Sequence, residues 1–363
     1  MRLTPPRSRT RPSTDSQKND ELWHGRLELP ATTITSYSLE VEDPSRGGHL
    51  GDRVRQAAFH DLLQAWRARF KDMGADPFAR SGRKGPSLQQ LDDELARGGP
   101  GAAVLRAAVE DYAIQFVDVV RRLLRQKGWR GMERIVIGGG FQQSDVGRLA
   151  VGRAGELLAR DRVGVYLRTL HHDPDEGGLV GWVQVIPSAW LQGRDALLAV
   201  DIGGTNVRCG IVRAHRRLAP DFSAAEVVES DKWAHAHDAD VTRREDLVDG
   251  IAEMLGRLIA IARRRRIALA PFVGVSCPGL VCPDGSIAGG AQNLPGNWES
   301  QHFHMPSRLE SRLPAWRGES FKVLMHNDAV VQGLSELPYM TDVRRWAVLT
   351  IGTGLGNASF ANR

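Results

Sequence analysis

Three glycine-rich turns are the features of this sequence best suited to hold a phosphate group. They read IGGGF at residues 137–141, DIGGT at 201–205 and GTGLG at 352–356, and each follows an apolar run typical of a buried strand. Glycine has no Cβ, so the backbone N–H groups of such a turn can approach phosphate oxygens closely. A single GGT would favour an ordinary hairpin turn, but three such turns in one chain predict a phosphate-binding protein.

Side chains beside these turns could supply the other groups of a phosphoryl-transfer site. Asp201 could hold a water on Mg²⁺, and Thr205 offers a hydroxyl. Asp328 follows an apolar run and begins a predicted helix, a position from which a carboxylate can point into a cleft and act as a general base. A simple helix N-cap, served by Asn327 or Asp328, is the alternative interpretation.

Amide side chains suited to a polyol cluster in the segment GAQNLPGNW, residues 290–298. Asn293 and Asn297, with Asn327 further along the chain, could bind sugar hydroxyls while Trp298 packs on an apolar face. For Asn297 the alternative of a residue that only forms the loop stays open. The sequence has no GxxxxGK[ST] motif, and its GGGF turn lacks the GxGxxG spacing, so neither a P-loop nor a dinucleotide fold is favoured.

The elements that must position these residues alternate between strand and helix. We expect strands at 33–41 and 224–228, helices at 52–70 and 101–128, and capping boxes at Ser87 with Gln90 and at Thr242 with Glu245. Such interleaving along the whole chain predicts an α/β protein.

Composition excludes several classes of protein. The chain has 363 residues and a net charge of +5, but its arginines are scattered, and those at 263–266 suit the end of a helix, so nucleic-acid binding is not expected. Three cysteines cannot make a disulfide scaffold, and no run of residues is long and apolar enough for a membrane span. We therefore expect a cytoplasmic protein that does not enter a membrane, preceded by a disordered basic tail at residues 1–22.

Together the motifs resemble the ROK family of bacterial sugar kinases, within the actin-like ATPase superfamily. DIGGTNVRCGIV is similar to the family's first phosphate motif, TIGTGLG to its second, and HNDAVVQGLSE to its catalytic Asn-Asp-Ala stretch. VGVSCPGLVCPDGSIAGGAQNLPGNW resembles its strand and sugar-side loop. The resemblance over residues 197–363 implies two ribonuclease H-like lobes with the active site in the cleft between them.

The resemblance also implies a role for each matched residue. Asp328 would be the general base and would contact the sugar together with Asn293, Asn297 and Asn327. Phosphate and Mg²⁺ binding would fall to Asp201, Gly203, Gly204, Thr205, Asn206, Gly352, Thr353 and Gly354, and adenosine binding to Gly138, Gly139 and Gly140.

The implied activity is ATP-dependent phosphorylation of a sugar hydroxyl, a glucokinase-like transfer with ATP and Mg²⁺ as cofactors. The expected partner is a small-molecule sugar, either a hexose such as glucose or an N-acetylhexosamine, and a homodimer is left open. A ROK-like sugar sensor that has lost turnover is the alternative. Retention of Asp201, Thr205 and Asp328 favours the enzyme, because a sensor needs no base.

The order of the motifs departs from the family. AVEDYAIQFVDVVRRLLRQKGWRGMERIVIGGGF resembles a late helix and adenosine turn, and DPDEGGLVGWVQVI a closing helix, yet both precede DIGGT. A circular permutation predicts a second-lobe region at 23–196, the first lobe at 197–345, and a return to the second lobe at 346–363. The strand ending at Ile351 should then join the sheet that contains Ile135. An unrelated N-terminal domain before a truncated kinase is the alternative.

One family feature is missing from the sequence. Nothing matches the CxCGxxGC zinc cluster that follows the second phosphate motif in many members, so no zinc site is expected. His49 in GGHLGD could stand in for a family histidine, although a solvated loop histidine is the simpler interpretation. His171 and His172 in HHDPDE are adjacent, so their side chains would not converge on a metal, and a surface turn is favoured.

Overall fold

A computed structural model describes residues 23–72, 76–78 and 85–363, so the predicted tail at 1–22 lies outside the described residues. Its strands are β1 (Thr32–Tyr37), β2 (Arg134–Gly138), β3 (Tyr166–Thr169), β4 (Ala196–Ile202), β5 (Val207–Arg213), β6 (Glu226–Trp233), β7 (Leu269–Cys277), β8 (Lys322–Asn327), β9 (Arg345–Ile351) and β10 (Leu355–Asn362). Its α-helices are α1 (Gln56–Asp72), α2 (Leu88–Arg97), α3 (Gly99–Leu123), α4 (Asp145–Arg160), α5 (Pro174–Val180), α6 (Arg244–Arg264), α7 (Met305–Glu310) and α8 (Asp328–Ser335).

The strands form two five-stranded sheets with the same internal plan. Sheet one has the order β6-β5-β4-β7-β8, and sheet two has the order β1-β10-β9-β2-β3. In each sheet three strands are antiparallel neighbours and two further strands join in parallel. The predicted class, an α/β protein with two ribonuclease H-like lobes, is confirmed by this repeated arrangement.

Sheet two is assembled from both ends of the described chain. β9 pairs in parallel with β2, Ile135 lying opposite Ala347, so the strand that ends at Ile351 joins the sheet of Ile135 as expected. β10 pairs antiparallel with β1, with Asn362 opposite Thr32. The sheet is therefore complete only when the last two strands of the chain meet strands from its first half.

Helices cover both sheets and also fill the space between them. One apolar core packs α1, α3 and α4 on the outer face of sheet two, and another packs α6 and α7 on the outer face of sheet one. A third core joins the inner faces, with Val136 and Val348 of sheet two, Leu197 and Ala199 of sheet one, and Trp182 buried together. Burial of apolar surface on the two inner faces is what holds the lobes in contact.

The segment before β1 covers the edge of sheet one. The Gly25 amide donates to the Met325 carbonyl at 2.9 Å, and the Met325 amide donates to His24 Nδ1 at 3.0 Å. His326 Nε2 donates to the Arg26 carbonyl at 3.0 Å, and burial lowers the pKa of His326 to about 4, so this imidazole is neutral. The otherwise open edge of β8 is thereby hydrogen-bonded.

Two local predictions have different outcomes. The capping box at Ser87 and Gln90 is confirmed at the start of α2. The box predicted at Thr242 and Glu245 is wrong by one residue, because Asp246 accepts the Arg243 amide at 2.8 Å and α6 begins one position later. None of the helices in the described ranges is both long and apolar enough to cross a membrane.

Candidate active site

A cavity of about 500 Å³ lies where the two sheets meet, within the size range of small-molecule sites. Most of the site residues predicted from the sequence line it. They are Gly139, Gly140, Asp201, Gly203, Gly204, Thr205, Asn206, Asn293, Asn327, Asp328, Gly352, Thr353 and Gly354. The predicted residues that do not line it are Gly138 and Asn297.

The second and third glycine turns touch across the cavity. Thr205 Oγ1 and Thr353 Oγ1 are 3.2 Å apart although 148 residues separate them in sequence. Within the described residues, the amides of Gly204, Thr205 and Thr353 make no backbone hydrogen bond outside the regular elements. These N–H groups are therefore available to a ligand with negatively charged oxygens.

The first glycine turn packs directly on the end of β9. Gly139 has a φ of +88°, and a Cβ at this position would collide with the backbone of Ile351. Around Gly140, Gly352 and Gly354, in contrast, a Cβ would find nothing within 4 Å. One glycine thus allows the close contact of two turns, and the other three leave open space on the cavity side.

Asp201 is the penultimate residue of β4, and its charge is balanced by an arginine from the neighbouring strand. The register places Arg208 of β5 opposite Asp201, and Arg208 Nη1 lies 3.3 Å from Asp201 Oδ2. Asp175 accepts from Arg208 Nε at 2.7 Å and from Lys232 Nζ at 2.6 Å, which fixes the guanidinium. Burial raises the pKa of Asp201, with Arg208 acting in the opposite direction.

Asp328 is the first residue of α8, and its neighbour Asn327 performs the capping. Asn327 Oδ1 accepts the Val330 amide at 3.2 Å, so Asn327 is the N-cap and Asp328 is not. Asp328 Oδ1 accepts the Ala329 amide at 2.8 Å. Burial and, secondly, the nearby Asp201 carboxylate raise the pKa of Asp328 to about 6, which suits a general base at neutral pH.

The remaining predicted amides have distinct surroundings. Asn327 Nδ2 donates to Ser38 Oγ at 3.0 Å and to the Gly279 carbonyl at 3.1 Å, so this side chain ties the two lobes together. Asn293 lines the cavity beside Gly204, where a Cβ on Gly204 would lie 3.2 Å from that of Asn293. Asn297 Oδ1 accepts the Glu299 amide at 3.0 Å within its own loop.

Several residues that line the cavity were not predicted from the sequence. Arg208 stood within the DIGGTNVRCGIV motif, and a hairpin register counted from the GGT turn would have placed it opposite Asp201. Gln292 also lines the cavity and belongs to the amide-rich segment 290–298, whereas no local sequence signal points to Ser38 and Gln332, which line it as well. His49 lies at the cavity wall with 53% of its side chain exposed. The ring of His171, in contrast, stacks on the ring of Tyr339, with 3.9 Å between the ring centroids.

The charged and polar groups that line the cavity are of the kinds that bind a nucleotide with Mg²⁺. In the described ranges, no group of three or more His, Cys, Asp or Glu side chains is placed to hold a metal ion by itself. Mg²⁺ is commonly bound through one or two carboxylates plus phosphate oxygens and waters, a set to which Asp201 and Asp328 could contribute. The free amides of the two glycine turns and the Arg208 guanidinium suit the phosphates. The residues present therefore fit MgATP.

No protein-family model and no curated protein matches the chain. Among solved structures it is similar to a protein proposed to be a sugar kinase from Cytophaga hutchinsonii, with 22% identity over 45% of this chain and 47% of that chain, at a TM-score of 0.33. A protein of Listeria monocytogenes proposed to be an N-acetylmannosamine kinase gives 24% identity, 46% and 47% coverage, and a TM-score of 0.31.

A member of the Ppx/GppA protein family from Aquifex aeolicus is 9% identical over 69% of this chain and 87% of that chain, with a TM-score of 0.33. The chain spans about half the length of the two kinases. Because the identities are this low, function has to be argued from the site itself.

Proposed function

We propose that this protein transfers the γ-phosphoryl group of ATP to a hydroxyl of a sugar, a hexose or an N-acetylhexosamine. One observation carries the proposal: three glycine turns distant in sequence and the Asp328 carboxylate line the same cavity. Phosphoryl transfer needs a phosphate cradle, a place for Mg²⁺ and a base, and each has a candidate here.

The phosphate end of the site would be formed by the two turns that touch. The amides of Gly204, Thr205 and Thr353 would bind phosphate oxygens, and Arg208 would neutralise part of their charge. Asp201 would hold Mg²⁺ through its water shell, and the ion supplies further stabilisation of the charge that develops during transfer. The adenosine would lie against the turn at residues 138–140.

The acceptor end would be organised around Asp328. Its carboxylate takes the proton of the attacking hydroxyl as the new O–P bond forms and the bond from the γ-phosphorus to the β-phosphate oxygen breaks, releasing ADP. Asn293 would hold a hydroxyl of the sugar. Asn327 would act through Ser38 and Gly279, keeping the walls of the site in place. Asn297 stays a candidate only for a part of the sugar that extends towards its loop.

We also propose that the chain is a circularly permuted ROK-like kinase. Both sheets share one strand plan, and sheet two follows that plan only if β9 and β10 are counted before β1. Residues 23–196 and 346–363 would then form the second lobe, and 197–345 the first. An independent N-terminal domain would have no reason to pair β1 and β2 with the last two strands.

The test is ADP release from MgATP by the purified protein across a panel of hexoses and N-acetylhexosamines. We expect release to depend on one group of sugars and to fall by about 10² to 10⁴ in Asp328→Asn. Saturable sugar binding with no ADP release from any of them would instead support the sugar sensor. ADP release at the same rate without sugar would contradict both the sugar kinase and the sugar sensor.

A further inference from the structure

The first turn of α5 packs over the charged end of the proposed phosphate site. Asp175 and Gly178 are three residues apart in α5 and so lie on one face of the helix. A Cβ on Gly178 would lie 2.8 Å from the carboxylate carbon of Asp201, and Asp175 Oδ1 accepts from Arg208 Nε at 2.7 Å. Gly178, Asp201 and Arg208 line the cavity, whereas Asp175 does not. Asp175 would therefore act on a ligand of the cavity only through its neighbours.

The position of Asp175 answers a repulsion within sheet one. Arg208 of β5 and Lys232 of β6 are like charges placed directly opposite each other, an unfavourable cross-strand pair. Asp175 lies between them, with Oδ1 on Arg208 and Oδ2 accepting from Lys232 Nζ at 2.6 Å. Burial acts to raise the pKa of Asp175, but Lys232 and Arg208 outweigh it, so the net pKa is lowered and the group is ionised.

Two carboxylates compete for the guanidinium of Arg208. Asp201 lies opposite Arg208 on β4, but only Nη1 approaches it, at 3.3 Å from Oδ2. Asp175 has the shorter contacts, because Nε and Nη2 of Arg208 lie 2.7 Å and 2.6 Å from its Oδ1. Contacts through two nitrogens of one guanidinium are the stronger ones. Asp175 thus holds one edge of Arg208 and leaves Nη1 on the cavity side.

The hold of Asp175 on Arg208 has a consequence for Asp201. Within the described ranges, Arg208 is the one side chain that donates to the Asp201 carboxylate, and it does so through a single long contact. Most acceptor positions of Asp201 therefore stay free for the water shell of Mg²⁺. If the charge of Asp175 were removed, Arg208 would move closer to Asp201. The same movement would neutralise the carboxylate that suits Mg²⁺ and draw the guanidinium away from the phosphates.

We propose that Asp175 is a positioning residue for the phosphate end of the site. It holds Arg208 with Nη1 towards the phosphates and keeps the guanidinium from neutralising Asp201. The inference rests on the proposed function only in taking ATP with Mg²⁺ as the ligand of the cavity. Asp175 then sets both the affinity for ATP and the Mg²⁺ concentration that ATP binding requires, although it contacts neither.

A matched pair of variants separates this role from the loss of a surface ion pair. Asp175→Asn removes the charge and keeps the shape of the side chain. Asp231→Asn is the control, because Asp231 is 33% exposed against 29% for Asp175, pairs with Arg257 at 2.7 Å and does not line the cavity. Lys232→Gln removes the second cation but leaves Asp175 on Arg208. Melting temperatures check the fold, and Asp175→Ser, which also lacks the charge, replaces Asp175→Asn if that variant does not fold.

The measurement is titration calorimetry with ATP, without sugar, at a series of Mg²⁺ concentrations. Asp175→Asn should raise the Kd for ATP about five- to tenfold and the half-saturating Mg²⁺ concentration at least about threefold. Arg208→Gln should raise the Kd by a similar factor without raising the Mg²⁺ requirement, since it frees Asp201. Lys232→Gln and Asp231→Asn should stay within about twofold of wild type in both quantities.

The double variant is the decisive measurement. Asp175→Asn combined with Arg208→Gln should behave as Arg208→Gln alone, because Asp175 then has no guanidinium to position. The increased Mg²⁺ requirement of Asp175→Asn should therefore disappear when Arg208 is also replaced. A purely structural role for Asp175 would leave its effect in place in the double variant.

The inference is overturned if Asp175→Asn binds ATP and Mg²⁺ as Asp231→Asn does, if Lys232→Gln has the same effect as Asp175→Asn, if the two effects add in the double variant, or if wild type binds no ATP. Its failure is separable from that of the proposed transfer reaction. Sugar-dependent ADP release with unchanged ATP and Mg²⁺ binding in Asp175→Asn would keep the kinase and remove this role. The expected binding results in a protein that releases no ADP with any sugar would keep the role of Asp175 and remove the transfer reaction.

Discussion

Asp328→Asn should change activity and stability in opposite directions, because it removes the proposed base and also a buried carboxyl group with a raised pKa. The variant retains the shape of the side chain and an oxygen that can accept the Ala329 amide. It removes the ionisable group that we propose as the base. Turnover should therefore fall by about 10² to 10⁴, while MgATP affinity stays within about twofold.

The pH dependence of wild-type activity comes from the same group. With a pKa of about 6, Asp328 is ionised in roughly nine molecules of ten at pH 7 and in roughly one of ten at pH 5. Since only the ionised form can accept a proton, kcat/KM should rise about tenfold between these two pH values and level off above them. An acidic limb with its midpoint below pH 5 would contradict the assignment.

Stability should show the reverse trend. The pKa of Asp328 rises from 3.8 in the unfolded chain to about 6 in the folded protein, so the folded state binds the proton more tightly. The stability that this proton contributes is fully present below pH 3.8 and is lost as the pH rises through 6. Asn behaves as the protonated form at every pH. Asp328→Asn should therefore stabilise the protein above pH 6, by at most about 3 kcal/mol, and have little effect near pH 4.

Urea unfolding at a series of pH values measures this difference. Asp342→Asn is a suitable control, because a hydrogen bond from Arg134 lowers the pKa of this exposed carboxyl group. Its effect on stability should have the opposite sign, with wild type favoured at neutral pH. The reasoning fails if the stability gained in Asp328→Asn is the same at pH 4 and pH 8.

Three further substitutions test the phosphate end of the site. Gly352→Val should raise the Kd for MgATP at least about tenfold, because the new side chain occupies space in the cavity. It should not lower the melting temperature, since no atom lies within 4 Å of the added Cβ. Calorimetry with Gly289→Val as the control, where the space is also open, checks this. Gly139→Ala should lower the melting temperature by several degrees in a thermal scan, because its Cβ meets the backbone of Ile351 at a positive φ. Arg208→Gln should raise the KM for ATP roughly tenfold in steady-state assays and leave the KM for sugar nearly unchanged.

Residues that line the candidate site could be predicted from the sequence where they belong to a short motif with its own local geometry. A glycine pair after a buried strand, or a carboxylate at a strand-to-helix junction, is a local feature, so Gly204, Thr205 and Asp328 could be found from neighbouring residues alone. The class of fold followed in the same way from alternating periodicities. Arg208 could also have been predicted, since counting residues from the turn of the β4–β5 hairpin places it opposite Asp201.

Residues that distant segments contribute to the cavity wall could not be predicted from local sequence motifs. Ser38 meets Asn327 across 289 residues of sequence, and the loop at 42–54 reaches the cavity only because β1 pairs with β10. The predicted start of α6 was wrong by one residue because two neighbouring acidic residues compete as capping partner. Glu245 and Asp246 are both acidic residues in the first turn of α6, and the structure selects the second as the capping partner. β6 extends to Trp233, beyond the predicted residue 228, because pairing with β5 continues through its half-exposed residues.

The permutation hypothesis can be tested by rebuilding the chain in the order that the family resemblance implies. The Arg363 amide donates to the Ala31 carbonyl at 3.1 Å, and Asn362 lies opposite Thr32, so a two-residue turn could join β10 to β1 as a hairpin. New ends can be opened at Gly193, which has a φ of +69° and where an added Cβ would meet no atom within 4 Å.

The rebuilt chain would run from residue 193 to 363, through the new turn, and from 32 to 192. It loses the hydrogen bonds that His24 and Gly25 make to Met325, so a lower melting temperature is expected. Both sheets keep all ten strands and the same pairs, and the cavity keeps its three glycine turns. The rebuilt protein should therefore fold cooperatively and release ADP with the same sugars as the original. If it is soluble and folded but its sheet two no longer protects β1 and β2 from hydrogen exchange, the two ends of the chain do not complete one lobe, and the permutation hypothesis is wrong.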